Sequence, residues 1–380
     1  MREYLLVFLV AGVASYLLCV FARELAMRSG AVARVRDRDV HAVPIPYFGG
    51  VAMLGGLGAG LLIAHRLPFL STSQPFVFHD SGIVLIAGAM ICAVGVVDDL
   101  IELDALTKLG GQIVAAGFLV LNDVKLYSVK LPGVGQLVLD PTQAGLLTIL
   151  LVVGTMNAVN FVDGLDGLAG GVVLIGAVAF FLFSYKLADS NGETLAITAA
   201  MLCAAMGGAC AGFLPHNFFP ARIFMGDSGS MLLGLVLSGS ALTLTGQFAT
   251  TSVDNGRGDT GTFVFLLPIL LPITILIVPL SDLVLAVVRR TRRGQAFYQP
   301  DKEHLHHRLL EIGHSQRRAV LIMWLWSGLI AFGGVLVTLY SGTLTMVALL
   351  VLTLLTAALT FLLPRVQRPG GPRPQDHVFP

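Results

Sequence analysis

The chain has 380 residues, of which 55% are hydrophobic and 12% charged, with a formal net charge of +1. A soluble globular domain carries about 25% charged residues, so half that supply around so long a chain excludes a single water-soluble globule and a disordered protein alike. The near-zero net charge removes bulk attraction to nucleic acid, and no nucleic-acid partner is expected.

The first apolar run, residues 4–22, is longer than a signal-peptide core. It is followed by Arg23 and Glu24 rather than by small cleavage-site residues, so it is read as a retained anchor. A helix needs about 20 apolar residues to cross a hydrocarbon layer of roughly 30 Å. Runs of about that size follow at 48–64, 82–97, 105–121, 143–159, 168–187, 194–214, 229–249, 262–281, 319–340 and 342–363. The expected fold class is therefore an all-α integral membrane protein, a bundle of about eleven transmembrane helices. Glycine-rich stretches such as 49–60 and 204–212 favour close helix packing in one polytopic domain over residues 1–363. The alternating segment 124–139 predicts a short extracytoplasmic β-hairpin around Pro132 and Gly133. The Pro-, Gly- and Arg-rich residues 364–380 are expected to form a disordered cytoplasmic tail. Cys19, Cys92, Cys203 and Cys210 all lie in apolar runs without a C-x-x-C pair and read as small buried hydrophobes.

Basic residues set the orientation. With the N-terminus outside, seventeen of the 24 Lys and Arg residues fall in the cytoplasmic gaps and tail and six in the outer gaps, with Lys108 near the start of a span. This predicts a multi-pass protein of the cell (inner) membrane with its C-terminus in the cytoplasm.

Acidic residues inside spans are costly, and here they gather at the predicted cytoplasmic span ends: Asp98 and Asp99 in VGVVDDL, Asp163 and Asp166 in NAVNFVDGLDGLAGG, Asp227 in FMGDSGS, and Asp282 in VPLSDL. Two carboxylates at a helix C-terminus are unfavourable by about 0.3–1 kcal/mol each without a positive partner. Asp98 and Asp99 therefore read either as loop caps, or as a divalent-cation site or general base. Asp163 and Asp166, three apart at a predicted helix start, would share one face. They serve either as N-terminal caps or, beside Asn157 and Asn160, as contacts for a base or sugar. The Gly-Asp-Ser-Gly-Ser turn offers free N–H groups for a phosphate, with Asp227 able to hold its metal and Phe224 placed to stack on a nucleobase. In the last predicted cytoplasmic loop, His304, His306, His307 and Arg308 suit phosphate neutralisation better than zinc, because the other candidate donors are hard oxygens. Arg289, Arg290, Arg292 and Arg293 read most simply as anchoring to anionic headgroups. Together these parts fit phosphoryl transfer between a soluble nucleotide and a lipid-borne acceptor.

The co-ordered motifs VGVVDDL, NAVNFVDGLDGLAGG, RIFMGDSGSMLLG and HLHHRL resemble those of the polyprenyl-phosphate N-acetylhexosamine-1-phosphate transferases. HAVPIPYFGG (41–50) and the Lys108-x-x-x-Gln112 pair are similar to two further elements of that family. The resemblance implies transfer of a sugar 1-phosphate from a UDP-sugar to a polyprenyl phosphate, with Mg²⁺ (or Mn²⁺) as cofactor. It implies Asp98 and Asp99 as the catalytic pair, and Asp227 with Asp99 as metal ligands. The implied substrate contacts are Lys108, Asn157, Asn160, Asp163, Asp166, Asn217, Phe224, His304, His306, His307 and Arg308. The His-Leu-His-His-Arg-Leu order resembles the branch that uses UDP-GlcNAc. The phospho-MurNAc-pentapeptide transferases of peptidoglycan synthesis, with three consecutive histidines, are the alternative. The expected partners are UDP-GlcNAc and polyprenyl phosphate, with a homodimer left open. A secondary transporter is the reading from another class, but transporters place coupling acids near the midplane, whereas these acids lie at one rim.

Overall fold

The computed structural model describes residues 1–33, 44–73, 75–131, 135–191, 195–245, 291, 314–340 and 342–362. In chain order its helices are α1 (Arg2–Ser29), α2 (Gly49–Ala64), α3 (Pro68–Ser71), α4 (Pro75–Ile101), α5 (Ala105–Leu121), α6 (Pro141–Val162), α7 (Leu168–Asn191), α8 (Leu195–Asn217), α9 (Gly226–Thr245), α10 (Gln316–Leu339) and α11 (Thr343–Leu362). Among the described residues, eight helices are long and apolar enough to cross a membrane: α1, α4 and α6 to α11. The protein is a multi-pass, predominantly helical membrane protein. Two further expected spans correspond to α2 and α5, which at 16 and 17 residues are shorter. The expected span 262–281 and the tail 364–380 lie outside the described residues.

Several helices outrun the apolar runs that announce them. α4 begins at Pro75 rather than near residue 82 and carries Asp98 and Asp99 within its last turn. Backbone hydrogen bonding continues past the apolar stretch, because polar residues at the ends of a span satisfy the same i→i+4 ladder. Asp104 caps α5 by accepting from the Leu106 and Thr107 N–H groups, each at 3.1 Å. Asp140 and Gln143 form a capping box at the start of α6. Between α5 and α6, strands β1 (Ser128–Leu131) and β2 (Gly135–Val138) pair antiparallel, Ser128 opposite Val138 and Leu131 opposite Gly135.

The packing order is set by small residues. α1 lies against α8 and α2, α7 against α8 and α10, and α4 and α6 both against α9. Where α1 crosses α8, a methyl group added at Gly208 or Gly212 would run into the carbonyls of Phe8 or Gly12, so only glycine permits that approach. α9 is the centre: every residue of it except Asp227 is buried. Its Ser238 and Ser240 hydroxyls donate to carbonyls of their own helix, at 2.9 Å to Gly234 and 2.7 Å to Val236, which satisfies polar groups that have no water to bond. By contrast α1, α5 and α11 turn many leucines and valines outward, as a lipid-facing surface requires.

Candidate active site

The site forms where the end of α4, the start of α5 and the end of α6 meet the first turn of α9. The backbone of Gly226 enters α9 in the left-handed region at φ 70°, and a side chain there would strike the Asp99 carboxylate. That carboxylate accepts from the N–H groups of Asp227 at 2.9 Å and Ser228 at 3.4 Å. The sequence led us to expect these N–H groups to be free for a phosphate. Instead the Asp99 carboxyl itself occupies this helix N-terminus, at the positive end of the dipole.

The adjacent Asp98 points elsewhere. Its Oδ1 accepts from the Leu103 N–H at 2.8 Å, and its Oδ2 pairs with Lys108 Nζ at 3.1 Å. Lys108 also pairs with Asp227, so one ammonium joins the carboxylates of α4 and α9. These three side chains are only 12% to 23% exposed, and the pairing is partly shielded from water. Asn160 Nδ2 donates to Asp227 Oδ1 at 2.6 Å and to Ser230 Oγ at 2.9 Å, fixing the carboxylate from the α6 side. Asp98, Asp99 and Asp227 thus meet a single cation, Lys108, at this junction. Among the described residues, no group of three or more His, Cys, Asp or Glu is arranged to hold a metal ion by itself.

Asp163 and Asp166 do not share a helical face. Asp163 is the C-terminal cap of α6, and α7 begins only at Leu168. Gly167, at φ 77°, breaks the helix between them, so both acids lie in a turn. Loss of water around the half-buried Asp163 carboxyl, helped by the Asp99 and Asp166 charges, pushes its pKa up to about 7. Asp166 is buried and accepts from the Ala221 N–H at 2.9 Å. Asn217, also buried, accepts from the Gly167 N–H at 2.9 Å and donates to the Ile223 carbonyl at 3.0 Å. These two side chains bind the 163–167 turn to the 217–224 loop. Asn157 bonds Gln112 of α5, at 2.7 Å and 3.3 Å. Phe224 is partly exposed, its ring 6.0 Å from that of Tyr47.

The HAVPIPYFGG segment reaches the site through its backbone. Phe224 N–H donates to Pro46 O at 2.8 Å, and the N–H groups of Gly49 and Gly50 donate to Phe224 and Met225 carbonyls at 3.0 and 3.1 Å. His304, His306, His307, Arg308, Asp282 and the 289–293 arginines lie outside the described residues. Of the groups now seen at the site, Ser228 and Ser230 escaped sequence reasoning. Their only signal is their place in the Gly-Asp-Ser-Gly-Ser turn.

Residues 81–245 match the model of glycosyl transferase family 4. The decaprenyl-phosphate N-acetylglucosaminephosphotransferase of Mycobacterium tuberculosis is 48% identical over 337 residues, 88% of this chain and 82% of the relative. Its counterpart in Mycolicibacterium smegmatis gives the same identity and coverage, 48% over 337 residues. The undecaprenyl-phosphate alpha-N-acetylglucosaminyl 1-phosphate transferase of Escherichia coli is 29% identical over 328 residues, 83% of this chain and 79% of the relative. With that identity sustained across most of both chains, the chain belongs to the polyprenyl-phosphate N-acetylglucosamine-1-phosphate transferases of glycosyl transferase family 4.

Proposed function

We propose that the protein transfers GlcNAc-1-phosphate from UDP-GlcNAc to a polyprenyl phosphate, giving polyprenyl-diphosphate-GlcNAc and UMP, on the cytoplasmic face of the cell membrane. The observation that carries this reading is the junction of Asp98, Asp99 and Asp227 with Lys108 and Asn160, a set of hard oxygen donors with one ammonium at the ends of membrane helices. It suits a nucleoside diphosphate better than a transported solute. Decaprenyl and undecaprenyl carriers, named for the relatives, are the acceptor class to test.

The donor chemistry also fits Mg²⁺. That ion is usually held by one or two carboxylates plus substrate phosphates rather than by a protein cage, and Asp227 and Asp99 are two carboxylates of that kind. Asp227 and Asp99 would hold it, and when bound it would neutralise charge on the diphosphate. Mn²⁺ has the same preference for oxygen ligands.

The reaction needs one P–O bond made and one broken. An oxygen of the polyprenyl phosphate attacks the phosphorus that bears the sugar, and the bond from that phosphorus to the bridging oxygen breaks, releasing UMP. Polyprenyl phosphate is already largely anionic near neutral pH, so direct attack requires no strong base. Lys108 then offsets charge on the reacting phosphates, while Asn160 keeps Asp227 aimed. Incubating membranes that contain the protein with radiolabelled UDP-GlcNAc, polyprenyl phosphate and Mg²⁺ is expected to yield labelled lipid. Product from UDP-MurNAc-pentapeptide and none from UDP-GlcNAc would overturn the donor assignment. Release of UMP without lipid acceptor would overturn direct attack.

A further inference from the structure

The family resemblance places Asn157 against the donor nucleotide, and the residue is exposed, yet its amide already has partners on α5 and on its own helix. Nδ2 donates to Gln112 Oε1 at 2.7 Å and to the Val153 carbonyl at 2.8 Å, while Oδ1 accepts from Gln112 Nε2 at 3.3 Å. Gln112 is 1% exposed, and its Nε2 also lies 3.3 Å from Met231 Sδ. One reciprocal amide pair thus ties α5 to α6 against the second turn of α9. The buried Gln112 amide would bear the cost of desolvation if it lost its partner, and that favours the paired geometry from the α5 side.

The position of this pair gives it a role. Gln112 follows Lys108 by four residues and so lies on the same face of α5, one turn deeper. Asn157 precedes Asn160 by three residues and lies on the same face of α6. The pair therefore sits one turn below both side chains that hold Asp227. Apart from the Lys108 ion pairs, few directional contacts fix the rotation of α5. Its buried residues are only Gln112, Ala115, Ala116 and Leu119, whereas Leu106, Ile113, Val114 and Leu121 are exposed. Contacts made by two alanines and a leucine are not directional. Two amide hydrogen bonds are.

We propose that Gln112 and Asn157 are positioning residues, an amide clamp that sets the rotation of α5 against α6 and thereby keeps Lys108 on Asp98 and Asp227 and Asn160 on Asp227. Asn157 makes no contact with the nucleotide. The effect on turnover rests on the phosphotransferase reading above; the effect on Lys108 geometry does not.

The test uses full-length purified protein carrying Gln112→Met, Asn157→Leu, both together, or the exchange Gln112→Asn with Asn157→Gln. The first two substitutions nearly conserve volume and remove the amide, and the exchange keeps one amide on each helix. Acylation of Lys108 by acetic anhydride is followed by mass spectrometry, with Lys125, paired to Asp123 at 2.8 Å, as internal reference. Each single variant is expected to label Lys108 about tenfold faster than the native chain. The double variant is expected to do no more, and the exchange to return most of the protection.

In the transfer assay kcat is expected to fall about tenfold in each single variant, with KM for UDP-GlcNAc unchanged. A general loss of stability would not produce faster labelling at Lys108 alone, nor its reversal by exchange. Unchanged Lys108 labelling in the single variants, or raised labelling in the exchange, overturns the clamp. So does a rise in KM for UDP-GlcNAc confined to Asn157→Leu. If the native chain does not turn over UDP-GlcNAc, the phosphotransferase reading fails while the labelling arm still decides the clamp.

Discussion

Asp99→Asn separates a carboxylate that holds a helix from one that serves chemistry alone. Its two oxygens accept from the Asp227 and Ser228 N–H groups at 2.9 Å and 3.4 Å. Asparagine keeps one acceptor oxygen and can preserve the shorter bond, but its amide NH₂ would oppose the Ser228 N–H, donor against donor. Replacing a charge-assisted bond by a neutral one costs about 1 kcal/mol. The weak second bond adds about 0.5 kcal/mol, and the lost charge at the α9 dipole about another 0.5 kcal/mol. Relief of the burial cost of the charged form, and to a lesser extent of repulsion from adjacent Asp98, offsets part of this. The expected net destabilisation is about 1–2 kcal/mol. An unfolding entropy of about 2.1 cal/mol/K per residue amounts to about 0.8 kcal/mol/K over the 380 residues, so Tm should fall by about 2 °C. Thermal unfolding of the detergent-solubilised protein, followed through Trp324 and Trp326 fluorescence without nucleotide, measures this. An unchanged or raised Tm would refute the capping role, because deleting a carboxylate kept only for catalysis beside Asp98 relieves repulsion.

Asp227→Asn should abolish lipid labelling while leaving the far-ultraviolet circular dichroism native, and retained turnover at ordinary Mg²⁺ would remove Asp227 as metal ligand. Asp163 titrates near 7 in the folded chain, above its unfolded value of 3.8. The native state therefore binds the extra proton between these values, and the stability this contributes is full below about pH 4 and lost as pH rises to 7. Asp163→Asn should flatten the dependence of Tm on pH across that window, and an identical slope in both proteins would contradict the assignment. Gly171 lies under the Trp324 indole, where any added carbon would overlap the ring. Gly171→Val should force α10 off α7 and cost about 1–3 kcal/mol, seen as a lower Tm with altered tryptophan emission.

The helices were legible because a run of apolar residues about as long as the bilayer is thick has few other uses. Their ends were not, since the hydrogen-bond ladder of α4 passes through Asp98 and Asp99 without regard to polarity. The residue types at the site could be read from motifs. Their pairings could not: the Asp99 carboxylate meets the Asp227 N–H across 128 positions, and Asn160 meets the Asp227 carboxylate across 67. Such partners are fixed by the crossing of α4 and α6 over α9, which local sequence does not encode. The turn holding Asp163 and Asp166 was mistaken for helix because spacing alone does not reveal that Gly167 adopts a left-handed conformation.

The position of α9 bears on how the protein is made. It is the least apolar of the eight long spans and the only one wholly enclosed by the rest of the molecule. Among the described residues, the helices packed most against it, α2, α4, α6, α7 and α8, precede it in the chain. During synthesis these earlier spans reach the membrane before α9, which takes its place among them once it emerges. Asp227 rides in on its first turn, so Asp99, Lys108 and Asn160 acquire their common partner in a single late event. A nascent chain stopped before residue 226 would hold Asp98, Asp99, Lys108 and Asn160 without the Asp227 that joins them.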